Sequence, residues 1–172
     1  MRARPQREGE KCHANCGYYR FSVSQDGAKR GQRGYDAGKK IKGRKRHIAV
    51  DTQGNLLTVV VHSAGIQNRV GVRAVMMRLF RRFDSITTIF ADGGYTGKLI
   101  EWAREMFDYR VQGIKRNELH KFQVLAKRWI VERTFSWLNW SQRLSKDYEI
   151  RHTSAEAITY IAFTHQLLKK YA

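Results

Sequence analysis

Ile86-Thr87-Thr88-Ile89-Phe90-Ala91-Asp92-Gly93-Gly94-Tyr95 is the stretch on which the reading of this chain turns. Ile86 to Ala91 is a short apolar run with β-branched residues, the pattern of a buried strand. Asp92 and two glycines end it. A carboxylate at the C-terminal edge of a strand projects into the crevice where α/β folds place their chemistry, and the glycines let a substrate backbone approach. An Asp before Gly is also a common turn former. The residue types alone leave both readings open.

The flanking sequence supplies the rest of a sheet. Arg46 to Asp51 and Leu56 to Ser63 are β-rich runs joined by Asp51-Thr52-Gln53-Gly54-Asn55, which predicts a hairpin. Val72, Val75, Met76, Leu79, Phe80 and Phe83 recur at helical spacing within Val70 to Phe83. Beyond Asp92 the pattern predicts a helix over Lys98 to Phe107, a strand over Tyr109 to Ile114 and a Trp- and Phe-rich helix over Lys127 to Leu138. A last helix opens with a capping box, Thr153-x-x-Glu156. Ile158, Ile161, Ala162, His165 and Leu168 are expected along one face of it, with Lys169 and Lys170 suiting the C-terminal dipole. Gly27 to Lys45, rich in Gly and cations, reads as loop. This order predicts a mixed α/β sheet with helices packed on it.

Length and composition bound the function. A chain of 172 residues suits one domain, and 42% hydrophobic residues exclude a disordered basic tail. Lys plus Arg number 33 against 15 Asp plus Glu, a formal charge of +18, which favours nucleic acid as partner. No apolar stretch reaches membrane-spanning length, and no signal peptide is expected. Two Cys and one Pro exclude a disulfide scaffold and a Pro-rich linker, and point to a reducing cytoplasm. Composition changes near residue 27, dividing 1–26 from 27–172.

Four local patterns compete for a role. Lys39, Lys40, Lys42, Arg44, Lys45 and Arg46 place six cations in eight positions, and in so basic a chain they are expected to form a phosphate-contacting patch rather than a merely solvated face. The stretch Gly34 to Lys40 fails the spacing of a phosphate-binding loop, with Arg33 where the first Gly belongs. Cys12-His13-Ala14-Asn15-Cys16 resembles half a zinc site, but no second pair at matched spacing completes four ligands. Glu132 has Arg128 four residues before it and Arg133 beside it, as a surface ion-pair partner would. Trp129 and Phe135 also place it on or beside an aromatic, core-facing side, where a carboxylate is costly unless it meets a metal or an Arg. Asp92 and Glu132 could jointly hold Mg²⁺, which takes oxygen ligands from carboxylates, water and phosphate.

Three motifs in order then resemble one family. Gly34-Tyr35-Asp36-Ala37-Gly38-Lys39-Lys40-Ile41-Lys42-Gly43-Arg44-Lys45-Arg46-His47 resembles a signature of bacterial insertion-sequence transposases of the DDE type, in particular the fifth insertion-sequence family. Ala91-Asp92-Gly93-Gly94-Tyr95 is similar to its second catalytic motif. Arg128-Trp129-x-x-Glu132-Arg133-Thr134-Phe135-x-Trp137-Leu138, followed by Arg143-Leu144-Ser145-Lys146-Asp147-Tyr148-Glu149, is similar to its third. The resemblance spans residues 29–172 and implies an RNase H-like fold, a mixed sheet flanked by helices. It implies DNA transposition by metal-dependent cleavage and strand transfer at insertion-sequence ends. Two Asp and one Glu would bind Mg²⁺ or Mn²⁺ ions that activate the attacking oxygen and stabilise the leaving one. Asp92 is then the second carboxylate and Glu132 the third, and Arg128, Arg133, Arg143 and Lys146 join the basic run as DNA contacts. Double-stranded DNA, as insertion-sequence end and target, is the implied partner, with a homo-oligomer to pair two ends. Asn139, Trp140, Ser141 and Gln142 depart from the pattern, which is more basic there.

The first Asp of the family is absent. Counting back from the Asp36 motif lands near Arg20, sixteen residues before Asp36. One permissible coding of residues 13–25, read one base on, translates as Met-Pro-Thr-Ala-Gly-Ile-Ile-Asp-Ser-Gln-Ser-Val, which contains the family's first-strand motif. The Asp codon is then split between Arg20 and Phe21. Residues 1–26 are on this reading out of frame or foreign to the family, and 27–172 are an incomplete catalytic domain. Gly17 to Ser24, rich in Tyr, Phe and Val, can still form a strand. Activity is expected to be low, with any remainder better in Mn²⁺. A helical DNA-recognition domain ahead of the sheet is not seen, so end recognition is expected to be poor. The competing expectations are a catalytically inactive DNA-binding remnant or inhibitor, and a basic RNA-binding protein without a site.

Overall fold

In a computed structural model, which describes residues 16–25, 31–92, 97–114 and 126–171, the chain runs β1 (Cys16–Gln25), β2 (Gly34–Asp36), β3 (Ile41–Val50), β4 (Leu56–Ser63), α1 (Asn68–Arg82), β5 (Thr88–Asp92), α2 (Lys98–Phe107), β6 (Arg110–Ile114), α3 (Ala126–Asn139), α4 (Gln142–Ser145) and α5 (His152–Tyr171). Strand β1 takes main-chain partners on both edges. On one it runs antiparallel to β3, from Tyr18 opposite Val50 to Gln25 opposite Gly43. On the other it runs parallel to β5, Cys16 level with Thr88 and Tyr18 with Phe90. β4 lies antiparallel beyond β3, and β6 parallel beyond β5. β2 pairs with Ile41, Lys42 and Gly43 at the start of β3. The sheet is therefore mixed, as expected, and Cys16–Gln25 belongs to it despite the composition break near residue 27.

Side-chain alternation along the strands assigns the helices to two faces. Ala49, Val60, Ile89 and Ala91 face α1 and α2, packing with Val72, Val75, Met76, Leu79, Leu99, Ala103 and Phe107. Ile48, Val50, Val59, Val61 and Phe90 face the other way, onto Val131 and Phe135 of α3 and Ala155 of α5. Leu138, Leu144, Ala162 and Phe163 close a smaller cluster among α3, α4 and α5. The hairpin turn forms as its residues predict. Asp51 Oδ1 accepts from the N–H of Gln53 and of Asn55, both at 2.8 Å, and Gly54 adopts φ +90°.

Three expectations are corrected. Gly27–Lys45 is not all loop: β2 and the first half of β3 lie in it, because the cations of β3 find internal partners and so do not break the strand. The capping box does not form as expected. Glu156 is drawn instead to β4, accepting from Val61 N–H at 3.0 Å and from Arg78 Nη1 at 2.8 Å. The buried face of α5 is Ala155, Thr159, Ala162 and Phe163, while Ile161 and Leu168 are more than 60% exposed. Arg78 Nη1 also donates to Val59 O at 2.6 Å, and Val59 N–H donates to Tyr160 Oη at 3.2 Å. The open edge of β4 is thus bonded by side chains from α1 and α5.

Under α1, His47 and His62 lie with ring centroids 4.5 Å apart, and Gly71 of α1 rests on both rings. A Cβ there would collide with His47 Nε2 and His62 Nε2. Ala ordinarily favours a helix over Gly by about 0.5–1 kcal/mol, but overpacking costs about 1–3 kcal/mol. Gly71→Ala is expected to lower the free energy of unfolding, measured by urea titration; an increase would show that the helix can slide off the ring pair. Burial, then the neighbouring His62 and Lys45 charges, push His47 down to about 3. Burial also lowers His62, against the opposing hydrogen bond with Ser63 O. A base with a depressed folded pKa binds fewer protons folded than unfolded. The His47 contribution should therefore be full above about pH 6.5 and fall as pH drops towards 3, by up to about 1.4 kcal/mol per pH unit, with His62 acting in the same direction. Urea midpoints measured across that range should follow this slope, and His47→Asn should flatten it.

Candidate functional site

Asp92 is the last residue of β5, its backbone paired with Ile114 of β6. On the other side the register of β1 with β5 is Cys16–Thr88, Gly17–Ile89 and Tyr18–Phe90. Continuing it by two residues brings position 20 level with Asp92. The two-residue period puts position 92 on the sheet face of Phe90, which packs on Val131 and Phe135 of α3. Glu132 follows Val131 on that helix. Asp92 thus ends the strand whose Phe90 packs on the helix that carries Glu132. The side chains of Asp92 and Arg128 lie outside the described structure.

Glu132 does not sit in the aromatic core that Trp129 and Phe135 suggested. It is exposed, Phe135 alone turns inward, and Trp129 is 47% exposed. Solvent at the carboxylate removes the desolvation cost that a buried Glu would carry. Helix α3 is pinned in place by its next two residues. Arg133 Nη2 donates to Gln53 O at 2.7 Å, and Thr134 Oγ1 donates to Gly54 O at 3.1 Å, so the β3–β4 turn anchors the helix. The Arg133 guanidinium also lies 4.4 Å from the ring centre of Trp129 and 4.8 Å from that of Trp137. Arg133 thus ties the turn to the helix.

The basic run divides in two. Lys39, Lys40 and Lys42 are exposed around the β2–β3 turn. Arg44, Lys45 and Arg46 are buried, and the expectation that they line a phosphate surface is corrected. Arg44 Nη1 lies 3.2 Å from Asp147 Oδ2, its Nη2 donates to Ile150 O at 2.7 Å, and its Nε donates to Gln32 O at 3.1 Å. Lys45 Nζ reaches Asp36 Oδ2 at 3.1 Å and Ile66 O at 2.9 Å. Burial raises the Asp36 carboxyl, but the Lys39 N–H and the Lys45 ammonium outweigh it and hold it below its usual range. Burial lowers Arg46, partly offset by Asp147. Arg44 thus ties β3 to the segment after α4, and Lys45 ties β3 to β2 and to the segment after β4. Arg143 is exposed and forks onto Glu149 Oε1 at 3.0 and 2.8 Å, and Lys146 is exposed beside it.

Among the described residues, no group of three or more His, Cys, Asp or Glu is placed to hold a metal ion. Cys12 to Asn15 lie outside them. No described helix is long and apolar enough to cross a membrane. The sequence reading missed Asp147 as the partner of Arg44, although it stands within the motif quoted after α3. It also missed Glu156 as a link between helix and sheet, because a local capping pattern explained it first.

Residues 15–167 match the family described as Transposase DDE domain. No curated protein matches the chain significantly. Among solved structures, the catalytic core domain of BIV integrase superposes with a TM-score of 0.53 at 13% identity, covering 89% of this chain and 82% of that one. A chain of the simian T-cell lymphotropic virus intasome in complex with PP2A regulatory subunit B56 gamma superposes with a TM-score of 0.55 at 14% identity, covering 91% of this chain and 52% of that one. At these identities the likeness concerns the fold, which is RNase H-like.

Removing Asp147 would leave Arg44 charged, buried and without its carboxylate. Breaking such a pair costs about 3–5 kcal/mol. Asp147→Ala is expected to destabilise the chain by that amount in urea denaturation. Unchanged stability would mean that Arg44 is solvated and available to DNA after all.

Proposed function

Since the chain belongs to the Transposase DDE domain family, we propose that it is the catalytic domain of a DNA transposase whose metal site lacks one of its carboxylates. The observation that supports this reading is that Asp92 is the last residue of β5, while Glu132 is exposed on α3, the helix that packs on Phe90 of that strand. The donor set suits one Mg²⁺ or Mn²⁺ ion, with carboxylate oxygens from Asp92 and Glu132 and the remaining positions left to water and phosphate. It does not suit a second ion. Position 20, level with Asp92 on β1, is Arg, and a guanidinium cannot ligate a cation. Such an ion, when bound, polarises the scissile phosphate and lowers the pKa of the attacking water.

The rest of the surface supplies positioning. Lys39, Lys40, Lys42, Arg128, Arg143 and Lys146 are the residues we assign to the DNA backbone, where each neutralised phosphate releases counterions. Insertion-sequence ends and target DNA are the substrates, and pairing two ends calls for more than one copy of the chain. We place this chemistry in a bacterial cytoplasm, at the nucleoid. We attribute the Arg at position 20 to a one-base shift of reading frame ahead of residue 26. The coding DNA tests this directly: one base of slippage should restore an Asp codon across Arg20 and Phe21, whereas its absence would make Arg20 a true substitution.

Two variants test the site. Arg20→Asp removes a cation and adds a ligand, so it is expected to tighten Mn²⁺ by about tenfold or more, read by calorimetry and by metal-dependent thermal shift. Weak Mn²⁺-dependent nicking of DNA is expected for the natural chain, rising in Arg20→Asp and abolished by Asp92→Ala. Metal binding indifferent to Asp92→Ala and Glu132→Ala would remove both residues from the site. The Arg at position 20 also favours a second reading, an inactive DNA-binding remnant that competes with intact copies. Intact DNA binding with no nicking, even in Arg20→Asp, would select it.

A further inference from the structure

The C-terminal halves of α3 and α5 form a half-open cavity of about 240 Å³ lined by Trp137, Phe163, Gln166, Leu167, Lys169 and Lys170. It lies among groups that the carboxylate site does not use. Trp137 joins it to an aromatic ladder on α3, in which Arg133 stacks on both Trp129 and Trp137. Trp140, the residue that follows α3, is 85% exposed. An indole left this far in water adds nothing to the core, and exposed apolar groups rimmed by charge mark interaction sites. The cavity is smaller than an ordinary small-molecule site, and its chemistry is a flat aromatic wall beside two ammonium groups and one amide.

We propose that this cavity is a single-stranded DNA site, in which an unstacked base lies against Trp137 and the adjoining phosphates lie on Lys169 and Lys170. Stacking on aromatic side chains beside a cationic groove is how proteins hold single strands. Duplex DNA keeps its base faces stacked and cannot offer one to Trp137. A second copy of this chain would bring two further lysines to the same place, against a net charge of +18 on each copy. The Gln166 amide can bond a base edge, and Trp140 provides a second stacking face beside the cavity. The site is independent of Asp92 and Glu132, so it stands or falls apart from the metal chemistry.

The test compares a labelled oligo(dT) strand with a labelled duplex of the same length, binding the full chain in fluorescence anisotropy. Trp137→Ala should weaken the single strand by about tenfold or more and leave duplex affinity unchanged. Trp137→Phe should restore most of it. Trp140→Ala, at a position too exposed to affect folding, should weaken the same strand by a smaller factor. Replacing Lys169 and Lys170 together by Ala should lower the salt dependence of single-strand binding. Equal losses for strand and duplex would overturn the proposal, as would single-strand affinity unmoved by both Trp variants. So would a Trp137→Ala chain that changes its oligomeric state in sedimentation, which would make this face a contact between copies.

Discussion

Everything in this molecule hangs on the two-sided pairing of β1. One edge holds the antiparallel β3–β4 hairpin, and the other holds the parallel β5–β6 pair, so β1 is the only strand that joins the two halves of the described sheet. The bonds that do this are main-chain bonds, which take no notice of which side chain a residue carries. A stretch such as Tyr18-Tyr19-Arg20-Phe21-Ser22-Val23 needs only strand propensity to serve. This separates the requirements of fold from those of chemistry. Position 20 can hold the sheet together with an arginine, but it can take part in metal binding only with a carboxylate.

The extent to which sequence anticipated structure follows the same division. Leu56–Ser63 and Lys98–Phe107 emerge with the bounds their patterns predict, because β-branched alternation and helical spacing both report burial directly. The start of β3 was illegible for the opposite reason. Ile41-Lys42-Gly43-Arg44-Lys45-Arg46 reads as solvated when side chains are counted as charges, and becomes a strand only once Asp36 and Asp147 arrive from elsewhere. Glu156 was misread because a local rule accounted for it, while its partners on β4 and α1 lie more than seventy residues away. For the candidate site, the motifs carried the strand-end carboxylate and the helix that bears the Glu. They could not show that Glu132 faces water or that Arg133 reaches the β3–β4 turn, since both depend on how α3 is rolled against that turn.

A strongly basic chain has to decide where its charge goes. Here part of it is used as mortar: Arg44 and Lys45 each bring a carboxylate and a main-chain carbonyl to the sheet edge. Among the described residues, the exposed remainder lies at the β2–β3 turn, along α1 and α2, at Arg110 of β6, around α4 and at the end of α5. Counting cations in the sequence therefore overstates the footprint available to DNA. The number of phosphates neutralised, and with it the steepness of salt dependence, follows the exposed cations alone.

The sealing of β4 bears on how copies of this chain can meet. An outermost strand normally offers a row of free amides and carbonyls, a template on which another chain can add. Here Tyr160 and Glu156 take the amides of Val59 and Val61, and Arg78 takes the carbonyl of Val59. The clasp draws on helices from both layers, so prising it open means loosening α1 and α5 together. Sheet-to-sheet extension along this border is closed to the protein, and so is the runaway polymerisation that such extension invites. Copies of the chain that meet at this border must do so helix against helix.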